Sequence, residues 1–404
     1  MAIQQSIGTR VPKPNHVPDH LVVDLDVHFP GTPDEDPLLA WKRHIGPYPV
    51  VWTPHQGGHW VAVDSAIYDS IYRDTDTWSS RNIFVGPRNG RPQLLPSEYD
   101  PPEHANFRKH IMQLFHPKVV REWTEEAREL TVGIIEELQP QGRCEFVEDF
   151  AKQLPMIITL RMLSLPQSDR EKLVDLAFTA LRPATPEEGI AAQMGVAQYL
   201  AERVQERIAN PGDDGLSLLV ATKLPDGSEL NIEQKIAMST NVLFGGLDTV
   251  ATTMAWTALY MAENPALQHE LRGNKALIAR TTEELLRRFG ISQVSRVATR
   301  DVELAGAPIK AGEQVCMPAA MSGLNADIFP DPDAIVPGRS NANKHHTMGG
   351  GVHRCAGALL AHAELRVFLE EWLDRIPQFS LDPNDRPVKL ATLVPCVDHL
   401  PLVW

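Results

Sequence analysis

Apolar and polar positions along this chain follow two different periods. Near residues 45–65 the pattern is that of strands: Pro49–Trp52 and Trp60–Val63 are short apolar runs on either side of Gln56-Gly57-Gly58, which predicts a turn, and Ser65–Arg73 then turns helical. From about 102 to 290 the apolar positions recur at helical spacing, with breaks at Pro117, Pro140–Gly142, Leu165–Gln167, Arg182–Pro186 and Asn210–Gly215. Ser168 with Glu171 predicts a capping-box start for one of these helices. The longest predicted helix starts at Asn231, with Gln234 as its capping partner, and stops at Asn264 before Pro265. Such a helix would span about 50 Å and cross the whole molecule. After Gly290 the chain becomes strand and loop, through Val302–Leu304 and Gln314–Met317 to the irregular stretch Asn325–His353. A last helix, Ala356–Arg375, and a strand-rich C-terminus complete a mainly α protein with a small β-rich region. No repeat and no linker divides it, so one domain over residues 1–404 is expected, with the chemistry-bearing loop and last helix at about 345–375.

Composition narrows the function. The 33 prolines punctuate the chain instead of clustering, which predicts order beyond the first twenty or so residues. A formal net charge of −14 argues against nucleic-acid or anionic-membrane binding, since both need basic surface. The first twenty residues hold no apolar run long enough for a signal peptide or membrane anchor, so a soluble, cytoplasmic protein is expected. Four cysteines without a CxxC pair do not form a disulfide framework. Cys144, Cys316 and Cys396 have apolar or strand-like neighbours, whereas Cys355 sits among glycines, a histidine and an arginine.

That setting suits an anionic sulfur. In Met348-Gly349-Gly350-Gly351-Val352-His353-Arg354-Cys355-Ala356-Gly357, the cysteine lies just before the last predicted helix. A helix N-terminus offers unpaired N–H groups to a thiolate, and Gly357 would let one of them approach closely. The triple glycine would let the loop lie flat against a planar cofactor. A Gly-rich turn with a buried cysteine is one rival reading. Zinc at His345, His346, His353 and Cys355 is another, although paired ligands at tight spacing are missing. Inside the long helix, Gly245 and Gly246 are each disfavoured by about 1 kcal/mol relative to alanine, so they make room for a groove beside Asp248 and Thr249. Glu284 and Arg287 can pair at i and i+3. His104 and Arg108 share one helix face.

The cysteine segment resembles the haem-binding loop of the cytochrome P-450 family at Gly349, Gly351, His353, Cys355 and Gly357, with Met348 where the family has phenylalanine. Gly245-Gly246-Leu247-Asp248-Thr249 resembles the family's oxygen-binding motif, and Glu284-Leu285-Leu286-Arg287 its Glu-x-x-Arg pair, for which Arg339 is the candidate third member. The resemblance extends over nearly the whole chain and is nearest the bacterial camphor-hydroxylase branch. It implies the cytochrome P-450 fold, a long central helix over haem b (iron protoporphyrin IX), and Cys355 as the iron ligand. His104, Arg108, Arg296 and His353 would hold the two propionates. Thr249 and Asp248 would be catalytic, in oxygen activation and proton relay, and Gly245 and Gly357 would line the cofactor.

The implied reaction inserts one atom of O2 into a C–H bond of a small hydrophobic substrate. Electrons would come from a [2Fe-2S] ferredoxin and its reductase, docking on a basic patch for which Arg108, Lys109, Lys344 and Arg354 are candidates. The pocket implied comprises Phe84, Asn241, Phe244, Ser292, Leu393 and Val394. Where camphor hydroxylases carry a ketone-binding tyrosine this chain has Pro92 or Gln93, so a terpenoid or norisoprenoid ketone or alcohol is expected instead of camphor. A haem protein that binds or senses a ligand without turnover is the alternative, and a peroxygenase a nearer one.

Overall fold

The computed structural model describes residues 10–32, 35–88, 90–183 and 185–404. The small sheet forms because five short apolar segments pair across most of the chain's length. Its strand order is Val50–Thr53, His59–Ala62, Gln314–Pro318, Gln293–Ala298 and Trp78–Ser79. The first two form the hairpin the pattern predicts, with Val50 opposite Ala62 and Trp52 opposite Trp60. The turn between them runs through left-handed backbone at Gln56, Gly57 and Gly58. Trp60 pairs in parallel with Val315, and Gln293 antiparallel with Pro318. The edge strand Trp78–Ser79 and the strand Arg143–Glu145, which pairs with Pro401–Val403, were not legible as separate elements.

Helices make up about 51% of the chain. Pro117–Leu138 begins at its proline behind the side-chain cap of His116 and packs on the last helix, Ala358–Arg375. Beside them Phe146, Phe150, Phe368 and Trp372 interlock, with ring centroids 5.0 to 6.0 Å apart. Two apolar cores result, and Phe115 and Trp123 are partly buried against both.

The central helix starts behind a complete capping box. Asn231 Oδ1 accepts the Gln234 N–H at 2.8 Å, and Gln234 Oε1 accepts the Asn231 N–H at 3.0 Å. It is broken at Asp248 (φ −100°, ψ −39°) into Ile232–Leu247 and Thr249–Glu263, and it ends at Asn264 before Pro265. The span Ile232–Glu263 is long and apolar enough to cross a membrane, but 78% of its most apolar window is buried inside the protein. It is a core helix by that measure.

Two helix starts differ from the sequence pattern. Ser168 does not cap: Gln167–Asp169 forms a 3-10 turn, Ser168 Oγ bonds Asp169 Oδ1, and the helix runs over Arg170–Leu181. The last helix begins at Ala358, not Ala356, so Cys355 stands two residues before the N-cap, Gly357.

Glu284 and Arg287 lie on the helix Ile278–Arg288, both fully buried. Glu284 accepts from Arg287 twice at 2.8 Å, from Arg339 Nε at 2.8 Å and from the Val336 N–H at 3.0 Å. Arg287 spends its remaining donors on the carbonyls of Gly323, Pro332 and Ala334. A residue pair three apart on one helix thus ties down an irregular stretch tens of residues away. Every charge and donor in this knot has a partner, so removing one strands the others. Glu284→Gln is expected to cost about 3–5 kcal/mol. A urea midpoint within error of the parent protein would contradict that.

Candidate active site

The loop before the last helix is shaped by its backbone first. The Cys355 N–H bonds the Met348 carbonyl at 2.8 Å, closing the loop on itself. Gly351 adopts φ +60°, and a Cβ there would lie 2.2 Å from the Tyr72 carbonyl oxygen, so no other residue fits. Gly350 packs flat on the Tyr72 ring in the same way. The glycines therefore answer to Tyr72, a residue of the helix Tyr68–Arg73, as well as to any planar partner. Met348 is partly buried against the larger core.

Cys355 is the one cysteine of the four that is exposed. Protein surroundings push its thiol up, while N–H groups of Gly357 and Ala358 and the charges of Arg108 and Arg354 pull it down. Those are the donors expected at a helix N-terminus. Cys144 and Cys316 are raised by burial with no such help. Cys396, in the strand Cys396–His399, is buried beside Arg182 and Asp248 and is raised to about 11, chiefly by burial.

Four basic side chains converge beside this loop. His104 lies on the helix Glu103–Leu114 and His353 in the loop, with ring centroids 4.1 Å apart. Arg296, from the strand Gln293–Ala298, is buried over the Tyr72 ring, and Arg108 donates to the Arg354 carbonyl. Burial, reinforced by Arg108 and Arg296, lowers His104 to about 4 and, with His104 adding to the same effect, His353 to about 2. The Nε2 atoms of both histidines are buried without a hydrogen-bond partner. Two orphaned imidazoles among two guanidiniums fit a buried dianion, and the paired propionates of a porphyrin meet that description. Of the other histidines nearby, His345 bonds Glu283 and the Thr347 N–H, and His346 stacks on Tyr72.

The two helix glycines serve different ends. A Cβ at Gly246 would lie 2.3 Å from Thr159 Oγ1, so this glycine lets the helix Gln153–Met162 approach. At Gly245 a Cβ would meet nothing within 4 Å, and Gly245 and Thr249 are both exposed although the helix around them is buried. Thr249 donates its hydroxyl proton to the Gly245 carbonyl at 3.0 Å, leaving its lone pairs free to accept. Asp248 is fully buried, with Oδ1 at 2.6 Å from Arg182 Nη2 and 3.3 Å from Thr252 Oγ1, while Oδ2 has no partner. Arg182 also donates to Thr252 at 3.0 Å. Sequence reasoning treated Arg182 only as part of a helix break. It lies 66 residues from Asp248, and no local pattern links the two.

A cavity of about 240 Å³ lies over this helix, bounded by Phe84, Arg91, Pro92, Gln93, Leu94, Ala237, Thr240 and Phe244 among others. Its volume is small for a ligand site. Arg91 lies over the Phe84 ring at 4.5 Å and is itself held by Glu98 at 2.6 Å. Of the pocket residues expected from the sequence, Phe84 and Phe244 bound this cavity, whereas Asn241, Ser292, Leu393 and Val394 are half-buried and do not. Ser97 reaches Asn241 Oδ1 at 3.0 Å, and Ser292 Oγ lies 3.5 Å from the Thr347 carbonyl.

A mainly helical protein with a broken central helix, a glycine-rich cysteine loop and a cationic cradle has the parts of a haem-binding monooxygenase. The chain belongs to the cytochrome P450 family, whose model matches residues 156–392. It is 31% identical to probable cytochrome P450 127A1 of Sinorhizobium fredii, covering 97% of this chain and 98% of that one. It is 32% identical to nocardicin C N-oxygenase of Nocardia uniformis, covering 96% and 97%. Among solved structures it is similar to cytochrome P450 CYP101C1, with TM-score 0.88, 33% identity and coverage of 97% and 100%. CYP101J2 follows at 0.87, 32% identity, 98% and 99%. The protein is a haem b monooxygenase of this family, using O2, a substrate and redox partners. The non-catalytic reading is not favoured.

The cationic cradle gives a pH signature. In the haem-free fold His104 and His353 resist protonation, whereas the unfolded chain takes up protons below its ordinary 6.5. Stability is therefore full above pH 6.5 and is lost as pH falls below it, toward about 4 for His104 and about 2 for His353. Between pH 7 and 5 each histidine is expected to cost the haem-free protein about 1–2 kcal/mol. Propionates would lift both values and shrink that loss. Urea midpoints of the two forms across this range check it; parallel curves would refute the cradle.

Proposed function

We propose that this protein is a haem-thiolate monooxygenase with Cys355 as the iron ligand, hydroxylating a small terpenoid or norisoprenoid ketone or alcohol. The observation that carries the reading is Cys355 itself, exposed before a helix N-terminus with two N–H donors at its sulfur. Cys396, the other cysteine near the C-terminus, is buried, and its sulfur meets the Arg182 guanidinium, which is also paired with Asp248, instead of backbone N–H groups of a helix start. His104, Arg108, Arg296 and His353 would hold the two propionates. When bound, haem supplies the O2-binding iron and the oxidising power for C–H insertion.

The chain's own residues then divide the remaining work. Gly245 leaves open space on the helix, and the Thr249 hydroxyl, its proton given to the Gly245 carbonyl, would accept a hydrogen bond there. Asp248 holds a proton position: its Oδ1 is tied to Arg182 and Thr252, and its free Oδ2 is the atom that can accept and pass a proton. Arg182 pairs with this fully buried carboxylate and holds it in place. Phe84, Leu94 and Phe244 exclude water from the substrate's hydrocarbon part.

Electrons come from a [2Fe-2S] ferredoxin and its reductase, at a face centred on the loop. Lys109, Lys344 and Arg354 are exposed there, whereas Arg108 is half-buried and turned to the Arg354 carbonyl. Exposed Val352 and Leu359 flank Arg354 in the chain and add apolar contact. The protein acts in the cytoplasm as a soluble enzyme.

Reconstitution with a bacterial ferredoxin system tests the reading by coupling NADH consumption to hydroxylated product. Asp248→Asn is expected to lower product formation by about 100-fold, the usual size of a general acid–base contribution, with substrate affinity unchanged. Equal turnover by D248N would reject the relay. Arg354→Glu is expected to slow the first electron transfer by about tenfold at low salt while leaving substrate affinity alone. Unchanged reduction kinetics would reject this docking face.

A further inference from the structure

Most hydroxyl side chains in the central helix bond the preceding turn; Thr252 bonds the Asp248 carboxylate, and Thr240 and Thr257 are left without a partner, of which Thr240 bounds the cavity and Thr257 does not. Ser239 bonds the carbonyl of Lys235 at 2.9 Å, Thr249 that of Gly245 at 3.0 Å, and Thr253 that of Thr249 at 2.8 Å. Each satisfies itself on the preceding turn, as hydroxyls in buried helices generally do. Thr240 does not. Its residue is 7% exposed, its Oγ1 is buried without a hydrogen-bond partner, and it bounds the cavity over the helix. Ala237 and Phe244, at i−3 and i+4, bound the same cavity and give the hydroxyl apolar neighbours.

An unsatisfied buried hydroxyl is destabilising, so this one points to a partner that arrives with the ligand. Thr240's neighbours on this face, Ile236, Ala237 and Phe244, are apolar, and the cavity is also bounded by the polar side chains of Arg91, Gln93, Gln193 and Glu233.

We propose that Thr240 is a specificity-determining residue whose hydroxyl donates a hydrogen bond to an acceptor oxygen, a ketone foremost, on a small cyclic substrate. The inference rests on the monooxygenase reading and adds the anchor to it. Its position also sets which carbon is presented. Thr240 lies about 7.5 Å along the helix from Gly245 and about 13 Å from Thr249. The anchored oxygen therefore sits at the end of the cavity away from the oxygen-activating residues, and the C–H bond presented to them is several bonds removed from it.

Equilibrium binding to the haem-loaded protein, read by the substrate-induced Soret shift and by equilibrium dialysis, tests this with menthone and its deoxygenated parent p-menthane. Thr240→Val keeps the shape and removes the hydroxyl; Thr240→Ser keeps the hydroxyl. The wild type is expected to bind menthone about tenfold more tightly than p-menthane, the size of one net hydrogen bond. T240V should lose that preference through weaker menthone binding alone, and T240S should retain it. Menthone binding unchanged in T240V, or no preference for menthone in the wild type, overturns the anchor. Failure of the underlying reading shows differently, as a wild-type protein with no thiolate-type haem spectrum before any substrate is added.

Discussion

Holding one sulfur anion and two carboxylates inside a low-dielectric interior is the constraint on which this architecture depends. Each anion must be met by donors that do not move when it arrives. The thiolate is met by a helix N-terminus, because Gly357 and Ala358 carry N–H groups the helix cannot use. On the proposed reading the carboxylates would be met by His104, Arg108, Arg296 and His353, drawn from a helix, a strand and the loop. Burial first, and then the charges of the neighbouring guanidiniums, hold both imidazoles well below their ordinary range.

Rigidity elsewhere serves that placement. The buried knot of Glu284, Arg287 and Arg339 fixes the irregular stretch that leads into the cysteine loop, and Tyr72 fixes the loop's glycines from the other side. The central helix is continuous enough to brace the core yet broken at Asp248. The break places one carboxylate oxygen against Arg182 and leaves the other free. It also explains the paired glycines in physical terms: Gly246 admits a neighbouring helix and Gly245 leaves the groove.

Features set by residues close in sequence were legible before the fold. The Asn231 capping box, the Glu284–Arg287 pair and the cysteine ahead of a helix all follow from local spacing, and each is present. Arg339 as the third member came from resemblance, and its contact with Glu284 is observed. What could not be read was the tertiary partner. Nothing near Gly350 or Gly351 names Tyr72, nothing near Asp248 names Arg182, and nothing in Thr240 shows that its hydroxyl would forgo its own turn. Ser168 shows the reverse failure: the local cap signal was present, but the chain closed a tighter turn first. Of the residues expected in the pocket, Phe84 and Phe244 bound the cavity over the central helix, and Asn241, Ser292, Leu393 and Val394 lie outside it.

The central claim is that Cys355 holds the iron as a thiolate. The difference spectrum of the dithionite-reduced protein with and without carbon monoxide, recorded for Cys355→Ser and Cys396→Ser beside the parent, addresses it most directly. The account predicts a strongly red-shifted Soret band in the parent and in C396S, and its loss in C355S. A red-shifted band that survives in C355S, or disappears in C396S, would contradict it.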